Sequence, residues 1–225
     1  PAAREEPTLS EYLLSVDVED WFQTHNLRPA VDRDSWEQRE SCVVENVNWL
    51  LRLFDSYDAT ATFFVLGWIA DHHPEVVRAI DDYGHRIACH GYNHRLLYDQ
   101  SPEEVRRDIK QSINAITAQT NQELVGYRAP SFSITDWAAD ILSDLGFKYD
   151  SSLYRVESHG RYGSVSTDRS GSTTRHQSGL REVELPVFDL PGVTVPCAGG
   201  AYFRVIPYPA FRRIVERTSR RFVFY

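Results

Sequence analysis

The sequence contains little cysteine and no methionine. Its three cysteines, Cys42, Cys89 and Cys197, are widely spaced and form no CxxC pair, which argues against a disulfide framework and against a thiolate zinc site. We therefore expect a reducing, cytoplasmic setting. Methionine is absent even from the first position, which predicts that these 225 residues are a piece of a longer or processed protein.

Long apolar runs and an excess of positive charge are also missing. No run approaches the ~20 residues of a membrane-spanning helix, and the N-terminus lacks the basic-then-apolar pattern of a secretory signal. The chain has 24 Lys and Arg against 32 Asp and Glu, a formal net charge of -8. This charge argues against a nucleic acid or an anionic membrane as partner, and a neutral or cationic substrate fits it better.

The chain does contain short apolar runs that alternate with amphipathic helical patterns. We expect a polar N-terminal arm over 1–10 and a single domain over 11–225. The patterns predict strands at 12–18, 61–66, 86–89, 124–127, 147–149, 182–187, 193–196 and 221–225, and helices at 42–54, 74–83, 102–118, 136–145 and 207–218. This alternation predicts the α/β class, as a single deformed (β/α) barrel of about seven parallel strands with helical crossovers.

Two local features complete this prediction. Ser41 is a plausible N-cap for the helix that starts at 42. The segment 157–179 is rich in Ser and Gly, contains little that could pack, and predicts a mobile surface insertion. His159 and His176 lie within this segment, and we expect both to be exposed to solvent.

The polar residues of interest follow the ends of predicted strands. Asp17 and Glu19 come at the end of the first strand, where they share a face of an extended backbone, and Asp20 comes directly after them. His90 and His94 follow the third strand, Arg128 the fourth and Asp150 the fifth. Because chemistry in such barrels gathers at the carboxyl ends of the strands, we interpret these residues as one site.

Two imidazoles and one carboxylate are a ligand set that catalytic zinc uses, with a position left for water. His90 and His94 are four residues apart, so both can face one ion. A second carboxylate can then remove the proton of the water, and Arg128 is suited to orient that carboxylate. These parts predict metal-assisted hydrolysis of an amide or ester. The same ligands occur in non-haem Fe(II) oxygenases, but the strand and helix alternation argues against their scaffold.

Taken together and in order, the motifs resemble those of the polysaccharide deacetylase family, whose members share the NodB homology domain. They are Ser-Val-Asp-Val-Glu-Asp-Trp-Phe from Ser15, Cys-His-Gly-Tyr-Asn-His from Cys89, Tyr-Arg-Ala-Pro-Ser-Phe-Ser from Tyr127, Tyr-Asp-Ser-Ser from Tyr149 and Gly-Gly-Ala-Tyr-Phe-Arg from Gly199. The resemblance runs from about Leu13 to Tyr225 and is strongest to the subgroup associated with exopolysaccharide production in bacterial sorting-system loci.

This resemblance implies a role for each candidate residue. Asp17 is expected to be the general base that activates metal-bound water, and Arg128 to orient it. Asp150 is expected to belong to the support network, and the backbone amide of Ser131 to stabilise the oxyanion. The histidine ligands are His90 and His94, and the ion is expected to be Zn²⁺, with Co²⁺, Ni²⁺ or Mn²⁺ as alternatives.

The sequence departs from the family pattern in two places. Most members have adjacent aspartates, the second of which binds the metal, whereas Val18 follows Asp17 here. We assign the carboxylate ligand to Glu19 on the same-face argument, with Asp20 as the fallback. The general acid of the family is a histidine in a late motif, but no histidine follows His176. We expect a continuation of the chain to carry it.

The expected function is therefore the metal-dependent removal of N-acetyl groups from an N-acetylhexosamine-containing polysaccharide. Two alternatives remain, a ring-opening amidohydrolase similar to allantoinase and a carbohydrate-binding protein that has lost catalysis. Aromatic residues next to the motifs could form a stacking platform for sugar rings or could equally pack in the barrel. They are Trp21, Phe22, Tyr92 and Phe132.

Overall fold

A computed structural model of the chain describes residues 11–156, 162–170, 173–217 and 221–225. The predicted N-terminal arm and His159 lie outside these residues. Eleven strands are found in the described part: β1 Glu11–Val18, β2 Ala61–Val65, β3 Arg86–Cys89, β4 Gly126–Tyr127, β5 Tyr149–Asp150, β6 Thr167–Ser170, β7 Thr173–His176, β8 Arg181–Glu182, β9 Val187–Leu190, β10 Val193–Pro196 and β11 Arg221–Phe224.

Nine of the strands form one sheet in the order β11-β1-β2-β3-β4-β5-β8-β7-β6. The seven strands from β11 to β8 are all parallel to their neighbours, whereas β7 and β6 continue the sheet as an antiparallel hairpin. The remaining two strands, β9 and β10, pair with each other. The predicted α/β class and the number of parallel strands are confirmed.

Side chains bring the two ends of the parallel sheet together. Val183, which follows β8, and Val223 of β11 line one cavity of about 410 Å³, and the hydroxyl groups of Tyr154 and Tyr225 are 3.3 Å apart. No backbone ladder joins β8 to β11 in the part of the chain that the structure describes. The sheet is therefore curled into a deformed barrel that is closed by side-chain contacts rather than by a backbone ladder.

The helices begin where the sequence supplies caps. Ser101 and Glu104 form a reciprocal capping box at the start of the longest helix, and Thr135 caps the helix that starts at Asp136, so orphan amides at these ends are satisfied. The seven helices of the described residues are α1 Val43–Ser56, α2 Gly67–His72, α3 Pro74–Asp82, α4 Pro102–Thr117, α5 Asp136–Asp144, α6 Gly200–Val205 and α7 Tyr208–Arg217. None of them is long and apolar enough to cross a membrane.

The prediction of a mobile insertion over 157–179 is wrong for its described part. Thr167–Ser170 and Thr173–His176 form the β6–β7 hairpin, and β7 pairs with β8. Because side chains alternate along a strand, Thr174 and His176 both point inward and are buried. The sequence pattern did not indicate β7 because its residues are Thr, Arg and His instead of apolar residues.

Smaller corrections concern helix starts and short elements. The N-cap of α1 is Cys42 and not Ser41. The Ser41 hydroxyl lies one residue earlier, where it accepts the Val43 amide at 3.4 Å and donates to the carboxylate of Asp20 at 2.5 Å. The sequence also missed α2, α6 and β9, which have only four to six residues each. Elements this short contain too few residues to show a periodic pattern.

Gly67, the first residue of α2, lets this helix approach the loop after β3. A Cβ atom at Gly67 would lie 2.5 Å from the Tyr92 ring and 2.6 Å from the Ser112 Cα. The Gly67 amide also donates to the carbonyl of Gly91 at 2.8 Å. Glycine at this position therefore fixes the distance between α2, α4 and the loop that carries His90 and His94.

We expect Gly67→Ala to lower the free energy of unfolding by about 1–3 kcal/mol, because the added methyl group would force the backbone of α4 to move. Gly200→Ala is the matched control, since Gly200 is also the first residue of a helix but its Cβ would meet only the Tyr225 carbonyl at an ordinary 3.7 Å. Urea denaturation followed by circular dichroism measures both. Equal effects of the two substitutions would contradict the close approach at Gly67.

Candidate metal centre and catalytic site

Three of the predicted ligands meet at the carboxyl end of the barrel. Potential ligand atoms of Glu19, His90 and His94 all lie within 4.8 Å of one another, and His94 Nε2 is 2.8 Å from Glu19 Oε2. Glu19 directly follows β1, and both histidines follow β3. The structure thus brings together three residues that are distant in sequence because parallel strands end at the same rim.

The donor atoms of this group fit a divalent metal. His90 Nδ1 donates to the carbonyl of Arg128 at 2.8 Å, and since a carbonyl can only accept, Nε2 is the unprotonated nitrogen of the neutral ring. Burial lowers the pKa of His90, which favours this neutral form. His94 Nδ1 is buried and lacks a hydrogen-bond partner among the described residues. Glu19 Oε2 is also buried and makes no hydrogen bond there beyond its 2.8 Å contact with His94 Nε2. Such unsatisfied donors and acceptors are expected where an ion binds.

The loop that presents the histidines is held by Asp108 of α4. Its carboxylate accepts the backbone amides of Tyr92 at 2.8 Å and Asn93 at 3.2 Å, and also the Asn93 side chain. His94 itself has a positive φ of 49°, a conformation that needs such support. We did not predict Asp108 from the sequence, although its place on the buried stripe of α4, four residues before Ser112, is a signal.

Asp20, the fallback ligand, is engaged elsewhere. Its carboxylate accepts from the Trp21 amide at 2.9 Å, from the Ser41 hydroxyl at 2.5 Å and from the Cys42 amide at 3.1 Å. It therefore caps the short 3-10 helix Trp21–Gln23 and ties this helix to the start of α1. Asp20 is not part of the group that contains the two imidazoles.

Asp17 lies beside this group and is paired with Arg128. Arg128 Nη1 donates to Asp17 Oδ1 at 2.7 Å. Burial by itself would raise the pKa of Asp17, but the Arg128 guanidinium and the nearby imidazoles of His90 and His94 bring it below its ordinary value. Asp17 is therefore an ionised carboxylate at neutral pH, as a general base must be.

Arg128 is completely buried, and its guanidinium is satisfied from several elements. Nη1 also donates to the Ser15 hydroxyl at 3.0 Å, and Nε and Nη2 donate to the Ser151 carbonyl at 2.9 Å and its hydroxyl at 3.1 Å. The group also lies over the Phe64 ring, 4.0 Å from its centroid. The sequence did not identify Ser15 and Ser151 as partners, although each is a neighbour of a motif aspartate.

Asp150 supports Arg128 through the backbone and not by direct contact. Its Oδ1 accepts the Ser152 hydroxyl at 2.7 Å, and the oxygen of that hydroxyl accepts the amide of Ala129 at 2.8 Å. Asp150 thus holds the segment that carries both Arg128 and Ser131. We expected it in the support network, and the structure provides this indirect route.

Ser131 lies in the tight turn Pro130–Phe132 with a positive φ of 51°. Left-handed backbone at a non-glycine residue is uncommon and occurs often in ligand sites. The amides at the start of such a turn have no partner within it. The geometry of this turn thus allows the Ser131 amide to donate to an oxyanion.

The aromatic residues next to the motifs have different roles. Phe22 packs against Trp36 and Trp68 in the core, and Phe132 packs against Tyr154 and Tyr225. Both rings are buried, so neither can form a platform for sugar rings. Tyr92 is half-buried, whereas Trp21 is 45% exposed and is the most accessible of the four for stacking on a ligand.

The fold and the site define a class of protein, namely α/β barrels with a histidine and carboxylate group at the carboxyl rim of the sheet. The chain belongs to the polysaccharide deacetylase family, whose model matches residues 34–149. A second model, a domain of unknown function (DUF3473), matches residues 151–225.

Curated relatives agree with this family, and solved structures agree with the fold. A peptidoglycan deacetylase of Helicobacter pylori is 32% identical over 104 residues, which are 46% of this chain and 36% of the relative. A chitooligosaccharide deacetylase of Rhizobium leguminosarum bv. trifolii is 33% identical over 94 residues, 42% of each chain. The chain thus spans less than half the length of either relative.

The crystal structure of a putative polysaccharide deacetylase from Mycobacterium smegmatis has a TM-score of 0.68 and 22% identity, and the match covers 100% of this chain and 78% of that one. A pseudoenzyme of carbohydrate esterase family 4 from Bacillus anthracis has a TM-score of 0.57 and 15% identity, with 97% and 56% covered. At these identities the two structures confirm the fold, a deformed (β/α) barrel.

We expect the chain to bind one equivalent of Zn²⁺ or Co²⁺ and Glu19→Gln to weaken this binding by about 10-fold or more, because a charged ligand is lost. Asp20→Asn is the matched control, since Asp20 is the neighbouring carboxylate but binds only backbone amides and the Ser41 hydroxyl, and asparagine can also cap a helix. Isothermal titration of the metal-free variants measures both affinities. A larger loss for Asp20→Asn than for Glu19→Gln would reverse the assignment.

Proposed function

We propose that this protein is a metal-dependent deacetylase that removes N-acetyl groups from an N-acetylhexosamine-containing polysaccharide. The observation that carries this proposal is the position of the Asp17–Arg128 pair next to the Glu19, His90 and His94 group. A base beside three metal ligands is the arrangement needed for hydrolysis of an unactivated amide. Membership of the polysaccharide deacetylase family and the deacetylases among the relatives support the same reaction.

In this mechanism Glu19, His90 and His94 hold the ion, for which we propose Zn²⁺, with Co²⁺, Ni²⁺ or Mn²⁺ as alternatives. When bound, the ion supplies Lewis-acid polarisation of the acetamide carbonyl and lowers the pKa of water. Asp17 takes the proton of the attacking water, and Arg128 keeps the Asp17 carboxylate ionised and oriented through the 2.7 Å contact. The Ser131 amide is proposed to donate to the oxyanion that forms as the carbonyl is attacked.

The proton for the leaving amine does not come from His176 in this proposal. His176 Nε2 is 2.7 Å from Glu182 Oε2, in a buried group separate from the three metal ligands. On the ordered motifs of the sequence we also propose membership of the exopolysaccharide-associated subgroup.

We expect the full natural protein to release acetate from N-acetylated chito-oligosaccharides. Chelation should abolish this activity, and Zn²⁺ or Co²⁺ should restore it. Asp17→Asn should lower kcat by about 10²–10⁴-fold, because the amide cannot accept a proton, while Asp189→Asn on the exposed face of β9 should leave it unchanged. Acetate is measured by a coupled assay, and metal affinity of Asp17→Asn shows that the site remains intact.

Two results would select the alternatives. Glycan binding without acetate release, in a protein that binds no metal, would indicate a carbohydrate-binding role. Turnover of a small cyclic amide such as allantoin, with no release from acetylated glycans, would indicate a ring-opening amidohydrolase. Either result would overturn deacetylation as the function.

A further inference from the structure

A second group of ionisable side chains lies outside the metal centre and is entirely buried. Asp150 is 0% exposed, and His176 and Glu182 are each 3% exposed, with potential ligand atoms within 4.8 Å of one another. Asp150 is on β5, Glu182 lies beside it on β8, and His176 is on β7. Two of the three belong to the region matched only by the domain of unknown function.

The carboxyl groups of Asp150 and Glu182 share a proton. Asp150 and Glu182 are register partners on parallel strands, so their side chains are adjacent, and they are hydrogen-bonded to each other. Such a bond needs one proton, because two adjacent buried carboxylates cannot both be ionised. Among the described residues no Lys or Arg forms an ion pair with either group, so no cation replaces this proton.

Other charged groups nearby do not neutralise the pair. Glu184 of the segment after β8 is bound by Arg155 at 3.0 Å and by the Thr174 hydroxyl. Asp136 and Asp140 of α5 face His176 and favour its charged form, but burial has the larger effect and lowers the pKa of His176. A neutral His176 can therefore donate its Nε2 hydrogen to Glu182 Oε2 at 2.7 Å.

Ser152 connects this group to the catalytic segment. Its amide donates to Asp150 Oδ2 and to Glu182 Oε1, both at 3.2 Å, and its hydroxyl donates to Asp150 Oδ1 at 2.7 Å. The oxygen of the same hydroxyl accepts the Ala129 amide at 2.8 Å. Ser152 can make all of these bonds only while the two carboxyl groups remain in contact.

The peptide unit between Arg128 and Ala129 links the buried Asp150, His176 and Glu182 group to the candidate metal centre. Its carbonyl accepts from His90 Nδ1 at 2.8 Å and so sets the tautomer of a proposed metal ligand. Its amide, on Ala129, is the one held by Ser152. The side chain of Arg128 orients Asp17. Through this peptide unit, a shift of Ser152 would therefore move both Arg128, which orients the proposed base Asp17, and the carbonyl that binds the proposed metal ligand His90.

We propose that Glu182 and His176 are positioning residues of the deacetylase site. Glu182 shares a proton with Asp150, His176 holds the Glu182 side chain in place, and together they fix Ser152 and the Arg128–Ala129 peptide. This inference rests on the proposed function for its effect on catalysis, but the relay of hydrogen bonds can be tested without substrate. It gives the region 151–225 a part in the reaction beyond completing the barrel.

The pH dependence of the relay has a definite sign. Burial raises the pKa of Glu182 to about 7, above the ordinary value of 4.5. Burial raises the pKa of Asp150 well above its ordinary value, so Asp150 keeps its proton toward Glu182 when Glu182 ionises. The stabilisation from the additional proton on Glu182 is fully present below pH 4.5 and is lost as the pH rises through about 7. In Glu182→Gln the side-chain carbonyl oxygen can still accept from the Ser152 amide, as Oε1 does in the wild type. The amide nitrogen then takes the Oε2 position and donates to Nε2 of His176, which accepts in its other neutral tautomer. This variant should remain ordered at high pH.

The first experiment removes the link at Ser152. In the full protein, Ser152→Ala should speed hydrogen exchange of the Ala129 amide by at least 10-fold and lower kcat by about 10–10²-fold, with KM changed by less than threefold, because the base is misplaced rather than the substrate site. Thr120→Ala is the matched control, since Thr120 also donates a buried hydroxyl to a carboxylate, that of Asp81, before β4. It should leave both quantities unchanged.

The second experiment uses Glu182→Gln, which preserves shape and so remains informative if Ser152→Ala does not fold. Exchange of the Ala129 amide is followed from pH 5 to 9 by nuclear magnetic resonance, after correction for the intrinsic pH dependence. Protection should fall as the pH rises from 5 to about 7 in the wild type, and it should fall much less over this range in Glu182→Gln, which has no proton to lose at this position. Equal pH dependence of the two proteins, or unchanged exchange in Ser152→Ala, would overturn the relay. Absence of acetate release from the wild type would refute the proposed function alone, since exchange needs no substrate.

Discussion

Burial of the Arg128 guanidinium is the constraint on which the rest of the structure depends. A buried charge needs a counter-ion and a partner for every donor. Asp17 supplies the charge from β1, while Ser15 and Ser151 supply further acceptors from opposite sides of the barrel. Because these partners come from β1 and from the residues after β5, Arg128 can be satisfied only when the sheet is curled. The contacts that assemble the site around Arg128 thus form only when the barrel is folded.

The second matched region is as necessary to this arrangement as the first. Residues 34–149 contain the two histidines and Arg128, but the partners of Arg128 and the closing strand β11 lie outside them. Ser151, Ser152 and Tyr225 all belong to residues 151–225, and the Tyr225 ring lies 5.5 Å from the guanidinium. The two regions matched by separate family models therefore form one barrel and contribute to one candidate site.

Two residues of the site have an unfavourable backbone conformation that places functional groups in position. His94 and Ser131 both have a positive φ, which is unfavourable for residues with a side chain. Asp108 supports the first of these loops from α4, and Ser152 supports the second from the segment after β5. Carboxylates thus hold both loops, that of Asp108 directly and that of Asp150 through Ser152, so the proposed metal ligands and the proposed oxyanion donor are fixed by the same kind of contact.

The sequence by itself determined the fold class, the parallel strands and the group of Glu19, His90 and His94, because apolar periodicity and position at strand ends are local properties. Only the tertiary structure decided that His176 is buried, that Asp20 is a capping residue and that Asp108 and Ser152 support the site. These outcomes depend on which groups meet across the barrel. A polar strand such as β7 and a single polar residue on a helix look the same in sequence whether they face solvent or a buried partner.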